Sequence, residues 1–503
     1  MGSNLALNIA SKGFNVAVSN RSPERVQECE TRAKEENLGD KVFGSQTPKE
    51  FCESLIRPRK IIMLVKAGAP VDKTIESLVP YLEPGDILID GGNEWYEKSI
   101  QRTRNLEEKG ILFVSMGVSG GEIGARHGPS LMPGGRKSAY EALENILTKI
   151  AAQVDNEACV TYIGGAGSGN YVKMVHNGIE YGDMELIAEV YHLLKSAGFS
   201  NPEMSSIFAD WNKSELESYL IEITSLILAK PDELVGEGYL IDRILDVAGS
   251  KGTGMMTVKE AAERGVSAPT ISSALFERYI SGEKDMRMRA ASLLPGPAFD
   301  WGTVDRTQLV SDLKDALFCS KIVAYAQGLE IIRQASLTFN WGINLGECAR
   351  IWKGGCIIRA KILDKIRGAF AQDAGLENLL LDPAFADQLV KRQQAWRRIV
   401  TLAAASGVSI PALTASLQYF DSFRSQRLPT NMIQAQRDFF GSHTYERVDQ
   451  PRGQFYHCRW TSEHALRVCY KQSIAFGVLC CRWISQSMWR SFARLGYQSR
   501  MCR

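Results

Sequence analysis

Residues 169–182 read Gly-Asn-Tyr-Val-Lys-Met-Val-His-Asn-Gly-Ile-Glu-Tyr-Gly. Lys173, His176, Asn177 and Glu180 recur at i, i+3, i+4 and i+7, so they share one face of a helix. Val172, Met174, Val175 and Ile179 occupy its other sides, which predicts a helix buried in a core rather than laid on a surface. A buried lysine, histidine and carboxylate need partners or a substrate. Lys173 and Glu180 are two turns, about 10 Å, apart along the axis. That spacing is too long for a direct pair and suits a small molecule held between a base and an acid. A polar helix face meeting solvent is the plainer alternative, and the rest of the chain decides between them.

On the N-terminal side of this helix the pattern is alternating strand and helix. Leu5, Ala6 and Ile9 give an amphipathic helix ending near Gly13, followed by a strand over Phe14–Val18 and the polar turn Asn20-Arg21-Ser22. A helix running into a strand and a polar turn is the second half of a dinucleotide-binding βαβ unit. Gly2 then reads as the last glycine of G-x-G-x-x-G at the helix start, where a pyrophosphate sits. The first strand and the two earlier glycines are not in the sequence, so the N-terminus reads as truncated. Strand two of such units ends in Asp or Glu where NAD is used. Arg21 stands there instead and suits a 2′-phosphate, which predicts NADP. Strands over Lys60–Leu64, Asp86–Ile89 and Ile111–Val114 run into Val65-Lys66-Ala67-Gly68, Asp90-Gly91-Gly92-Asn93 and Ser119-Gly120-Gly121. Ligands of open parallel sheets bind beyond such strand ends. Pro129–Gly135 reads as a turn-rich stretch.

On the C-terminal side, long helical patterns take over from about Gly167. They cover Val172–Ser196, Leu216–Ala229, Val258–Glu263, Ile271–Ile280, Gln388–Ala405 and Leu309–Ala335, the last echoing the first in length. Gly249–Gly254 frames Lys251 with glycines, a setting able to cradle a phosphate though not a P-loop. Arg278 follows on the next helix. Trp352-Lys353-Gly354-Gly355-Cys356 reads as a tight helix start or packing site. Leu428–Arg447 holds a short helix with Arg437 and a turn with His443.

Composition bounds the function classes. The 503 residues are 45% apolar and 23% charged with net charge +2, which points to a soluble multidomain protein with no nucleic-acid or membrane partner. Residues 458–503 carry seven Arg and one Lys against one Glu, and five of the eleven cysteines. This basic tail is expected to be disordered. The other six cysteines show no metal-ligand spacing and fit a reducing compartment.

The motifs Asp-Gly-Gly-Asn, Val-Ser-Gly-Gly, Lys-Met-Val-His-Asn-Gly-Ile-Glu-Tyr, Lys-Gly-Thr-Gly and Gln-Arg-Asp-Phe-Phe-Gly-Ser-His-Thr-Tyr-Glu occur in this order. Together they resemble the 6-phosphogluconate dehydrogenase family, in its plant and other eukaryotic wording, from Met1 to about Trp460. The resemblance implies a Rossmann-type α/β domain lacking its first strand (1–166) and an all-helical substrate and dimerisation domain (167–427). A segment at 428–457 would serve the partner subunit's site, ahead of the atypical tail at 458–503. It implies oxidative decarboxylation of 6-phosphogluconate with NADP and no metal, by a homodimer in the cytoplasm. A plastid position stays open because the start reads as incomplete. Lys173 would be the base and Glu180 the acid. The substrate would meet Asn93, Ser119, Gly120, Gly121, His176, Asn177, Tyr181, Lys251 and Arg278, with Arg437 and His443 lent by the partner. The cofactor would meet Gly2, Asn20, Arg21, Ser22, Val65, Lys66, Ala67 and Asn93. The chain departs from the family at its start, in its tail, and at Met255-Met256, where Lys-Trp is usual. Two competing readings follow: an impaired homologue that keeps the dimerising helices, and a related β-hydroxyacid dehydrogenase. Lys251 and Arg278 argue against an unphosphorylated substrate.

Overall fold

The computed structural model describes residues 1–460, so the tail expected to be disordered lies, beyond its first three residues, outside the described residues. The chain enters on helix α1 (Gly2–Ser11), which stops at Lys12 as Gly13 takes φ +91°, a turn that glycine makes without a Cβ clash. Strand β1 (Val16–Ser19) follows, then α2 (Pro23–Glu35) and β2 (Val42–Ser45). Helix α3 (Pro48–Glu53) opens on a capping box between Thr47 and Glu50. It leads to β3 (Lys60–Met63), α4 (Ala69–Leu78), β4 (Ile87–Asp90), α5 (Tyr96–Glu107) and β5 (Leu112–Val118). Next come α6 (Gly121–His127), β6 (Leu131–Gly135), α7 (Lys137–Ile150) and the small hairpin β7 (Gln153–Val154) and β8 (Glu157–Ala158).

The main sheet has the order β3-β4-β5-β6, parallel through β5 and antiparallel at β6. All four residues of β4 are buried, as expected of a parallel strand covered on both faces. Strands β1 and β2 form a separate parallel pair. Helix α1 packs on both pieces. Leu5 joins the apolar cluster of Ile87, Ile89 and Val114, while Leu7 and Ala10 join Cys29, Ala33 and Val42. Burying each such leucine stabilises the arrangement by roughly 1.5–3 kcal/mol.

Pro129–Gly135 is not the turn expected. It contains β6, with Leu131 and Met132 wholly buried. Its glycines serve close packing instead: a Cβ on Gly134 would lie 2.2 Å from Ser168 Oγ.

The helices begin with α8 (Ser168–Ser196), then α9 (Asn201–Trp211), α10 (Tyr219–Ala229), α11 (Thr253–Glu263), α12 (Pro269–Gly282) and α13 (Lys284–Leu293). They continue as α14 (Arg306–Phe339), α15 (Leu345–Ile351), α16 (Ile362–Gln372), α17 (Pro383–Ser406) and α18 (Pro411–Phe423). Every residue of α8 from Ser168 to Ile179 is buried. Helix α14, the long echo of α8, packs along it and the two share a buried ion pair, Lys321 Nζ to Asp183 Oδ1 at 2.5 Å. Trp352–Cys356 follows the end of α15 rather than starting a helix, and Trp352 is fully buried.

From Arg424 the described residues belong to a second compact unit. It holds α19 (Thr430–Gly441) and an antiparallel bridge between Tyr445 and Tyr456. The buried Asp438 carboxylate organises it, accepting from Thr444 N at 2.9 Å, His457 Nδ1 at 2.9 Å and Trp460 Nε1 at 2.9 Å.

Candidate active site

Two glycines bring the start of α8 onto the sheet. A Cβ on Gly169 would meet the Ser115 carbonyl oxygen at 2.1 Å, and one on Gly117 would meet Lys173 Cβ at 2.5 Å. The lysine stem therefore crosses the end of β5 at backbone distance and delivers its amine beside Ser119. Lys173 is only 6% exposed. Its Nζ donates to Ser119 Oγ at 3.0 Å and to Asn177 Oδ1 at 2.7 Å.

His176, wholly buried, closes the ring. Its Nδ1 lies 3.0 Å from Asn177 Oδ1 and its Nε2 3.3 Å from Ser119 Oγ. An amide oxygen only accepts, so Nδ1 carries the proton and Nε2 receives the Ser119 hydroxyl. Asn177 is held in this orientation by donating Nδ2 to Thr253 Oγ1 at 3.2 Å. The imidazole is thus neutral. Burial, and then the charge of Lys173, hold it well below the usual histidine range. Burial likewise pushes the Lys173 ammonium down, against the opposing pull of Glu180. A neutral amine has two N–H bonds, the number that Ser119 and Asn177 accept. The third contact of Nζ is His176 Nδ1, at 3.4 Å.

Glu180 sits one turn beyond His176, its Oε2 4.0 Å from Nδ1. With a neutral imidazole this is no ion pair. Burial raises the Glu180 carboxyl above the ordinary range although Lys173, Arg278 and Lys251 all favour its charge. One helix face therefore carries an amine biased toward its base form and a carboxyl biased toward its acid form.

Beyond Glu180, the Arg278 guanidinium stacks 3.5 Å over the Tyr181 ring and donates Nη1 to the Gly249 carbonyl at 3.3 Å. Lys251 is exposed just ahead of α11. On the sheet, Asn20, Arg21 and Ser22 follow β1, Val65, Lys66 and Ala67 follow β3, and Asn93 follows β4. Gly120 (φ +94°) and Gly121 (φ +62°) turn the chain from β5 into α6. Gly2 opens α1, whose N-terminus has no side-chain cap.

The fold thus joins Lys173, His176, Asn177 and Ser119 in direct contact and stacks Tyr181 with Arg278. Arg437 and His443 lie on the second unit, both exposed, Arg437 donating to Gln434 Oε1 at 3.0 Å. The sequence reading passed over Thr253, which orients Asn177. It also passed over Asn170, which accepts from Ser99 Oγ at 2.7 Å and donates to the Gly92 carbonyl at 3.1 Å. Asn170 lies three residues before Lys173 on the same stripe, so its spacing was a usable signal. Thr253 had only its place inside Lys-Gly-Thr-Gly.

A nucleotide-type α/β sheet followed by helices, with buried Lys173 and Glu180 on one helix face where the two meet, is an arrangement that suits a nucleotide-dependent dehydrogenase. Residues 1–164 match the family model for the NAD binding domain of 6-phosphogluconate dehydrogenase, and residues 169–460 match that for the 6-phosphogluconate dehydrogenase C-terminal domain. The chain belongs to the 6-phosphogluconate dehydrogenase family. It is 55% identical over 466 residues to the decarboxylating 6-phosphogluconate dehydrogenase 1 of Spinacia oleracea, covering 92% of this chain and 95% of that protein. Against the decarboxylating enzyme 2 of Arabidopsis thaliana the identity is 56% over 467 residues, with the same shares. The fold superposes on the Plasmodium falciparum 6-phosphogluconate dehydrogenase with a TM-score of 0.88 at 50% identity, covering 92% of this chain and 98% of that one. That enzyme has been solved in its apo form, with its cofactor NADP+ and with its substrate 6-phosphogluconate.

Proposed function

We propose that the chain oxidises and decarboxylates 6-phosphogluconate to ribulose 5-phosphate and CO2, with NADP as the oxidant. The observation that carries this reading is the α8 face, on which a buried Lys173 donates to Ser119 and Asn177 while Glu180 is held toward its protonated form. NADP, when bound, accepts the hydride from C3. The residues that follow β1, β3 and β4 suit it: Arg21 for a 2′-phosphate, the uncapped N-terminus of α1 for the pyrophosphate, and Val65, Lys66, Ala67 and Asn93 between them.

Lys173 takes the proton of the C3 hydroxyl as C3 is oxidised. It returns that proton to the C3 oxygen as the C1–C2 bond breaks and CO2 leaves. Glu180 then protonates the former C2 of the enediol while Lys173, again a free amine, takes back the enediol hydroxyl proton, and the ketone forms. The ring of Ser119, His176 and Asn177 holds the amine in place throughout. Arg278 and Lys251 take the phosphate, Arg278 with its planar fork. Asn93, Gly120, Gly121 and Tyr181 line the rest of the substrate path.

Arg437 and His443 complete the site of a second copy in a homodimer. The exposed Phe276, Tyr279 and Ile280 on α12, with Leu293 and Leu294 at the end of α13, support a subunit interface. Free, buried Cys29, Cys52, Cys159, Cys319, Cys348 and Cys356 accord with a reducing compartment such as the cytoplasm. A steady-state assay following NADPH absorbance tests the reading. NADPH is expected with 6-phosphogluconate and not with gluconate, and CO2 is expected in equal amount. Equal rates with gluconate, or no NADPH, would overturn it.

A further inference from the structure

Behind the two loops assigned to NADP lies Arg102 of α5, 6% exposed and in contact with four groups. Its Nη1 donates to Glu94 Oε2 at 2.6 Å and lies 3.5 Å from Asp90 Oδ2. Its Nε donates to Asp72 Oδ1 at 2.7 Å, and its Nη2 donates to the Gly68 carbonyl at 3.2 Å. Glu94 Oε2 in turn accepts the Gly68 N–H at 2.7 Å, and its Oε1 accepts the Trp95 N–H at 2.8 Å. Gly68 is thereby gripped at both its N–H and its carbonyl. It sits at φ +87°, where the loop after β3 turns into α4. The loop after β4 is fixed by the same guanidinium through Asp90 and Glu94. Neither Arg102 nor Glu94 figures among the ligand-contacting residues of the site.

We propose that Arg102 and Glu94 form the positioning pair of the cofactor site, setting the separation between Val65–Gly68 and Asp90–Asn93. This rests on the NADP reading above. Three carboxylates, Asp72, Asp90 and Glu94, face one guanidinium. Without it, Asp90 and Glu94, buried at and just after the end of β4, and Asp72 on α4 lose the cation they share, and the Gly68 carbonyl loses its donor. A lysine offers one point charge in place of a planar fork, so it cannot serve Glu94, Asp72 and Gly68 at once.

The test is titration of NADP, and separately of 6-phosphogluconate, into the full-length wild type and into Arg102→Met, Arg102→Lys and Glu94→Gln. Residues that orient metal ligands from behind typically alter affinity by about 10–100-fold, and on that scale Arg102→Met is expected to weaken NADP by at least about tenfold. Arg102→Lys should recover part of that loss. Glu94→Gln must turn its NH2 toward either the Gly68 or the Trp95 N–H, so it too should weaken NADP, though by less than Arg102→Met. Binding of 6-phosphogluconate should change by less than about twofold in all three, well under that range. A merely structural role predicts instead that both ligands weaken in parallel with the melting temperature, and that pattern overturns the proposal. So does unchanged NADP affinity in Arg102→Lys, which decides alone should Arg102→Met not fold. Failure of the wild type itself to bind NADP would sink the functional reading, a different result from wild-type binding with indifferent variants.

Discussion

Replacing Lys173 with Met separates catalysis from folding, because methionine nearly matches the lysine stem and removes only the amine. The change deletes two donated hydrogen bonds, to Ser119 Oγ and Asn177 Oδ1. Each contributes a net of about 0.5–1.5 kcal/mol. Neither acceptor is stranded, since Asn177 Oδ1 keeps the His176 Nδ1 proton at 3.0 Å and Ser119 keeps His176 Nε2 at 3.3 Å. Relief from burying an ionisable amine offsets the lost bonds, so stability should move by no more than about 1 kcal/mol. Loss of a general base slows turnover by about 10²–10⁴-fold, or roughly 3–5 kcal/mol of barrier. The measurements are kcat from NADPH absorbance and the melting temperature of the same preparation. A kcat within tenfold of wild type would refute the assignment of the base.

The same variant carries a pH signature. Lys173 is lowered from its ordinary 10.5, so between its folded value and 10.5 the unfolded chain binds the extra proton. Wild-type stability therefore rises with pH through that window, and Lys173→Met should lose this slope. The acid limb of the wild-type rate, where the base is protonated, should be missing from any residual activity.

Glu180→Gln should keep NADPH formation in the first turnover but lose about 10²–10⁴-fold in ribulose 5-phosphate release, read by rapid quench; normal product release would exclude it as the acid. Gly117→Ala should destabilise by about 1–3 kcal/mol in a denaturant melt, because its Cβ would lie 2.5 Å from Lys173 Cβ, and it should also abolish turnover. A fully active Gly117→Ala enzyme would show that the lysine stem does not need that approach. Arg21→Ala should raise KM for NADP at least about tenfold while leaving KM for NAD within about twofold, as loss of one charged hydrogen-bonding partner implies. Equal effects on both cofactors would remove Arg21 as the discriminator.

The α/β-then-helical architecture was legible because the short apolar runs Lys60–Leu64, Asp86–Ile89 and Ile111–Val114, each leading to a glycine-bearing loop, give way to the 3.6 period of α8 and α14. The stripe Lys173–Glu180 was legible for the same reason. Strand β2 (Val42–Ser45) escaped notice because it is four residues long and contains Gly44. Strand β6 escaped because Pro133, Gly134 and Gly135 carry turn propensity that tertiary packing overrides. Arg102 and Asp438 could not be found from spacing at all. Their importance lies in contacts reached across 34 residues to Gly68 and 22 to Trp460, and no local pattern encodes these.

The separate pairing of β1 with β2 has a thermal consequence. This piece rests on a small apolar cluster of Leu7, Ala10, Cys29, Ala33 and Val42, with α1 and α3 as its ties to the larger sheet. Units with few buried contacts open at lower free energy than the whole molecule. Amides of Val16–Ser19 should accordingly exchange with solvent sooner than those of Ile87–Asp90, and warming should loosen the ground beneath Arg21 while α8 is still intact. Such a chain would forget which nicotinamide cofactor it prefers several degrees before it forgets how to move a proton.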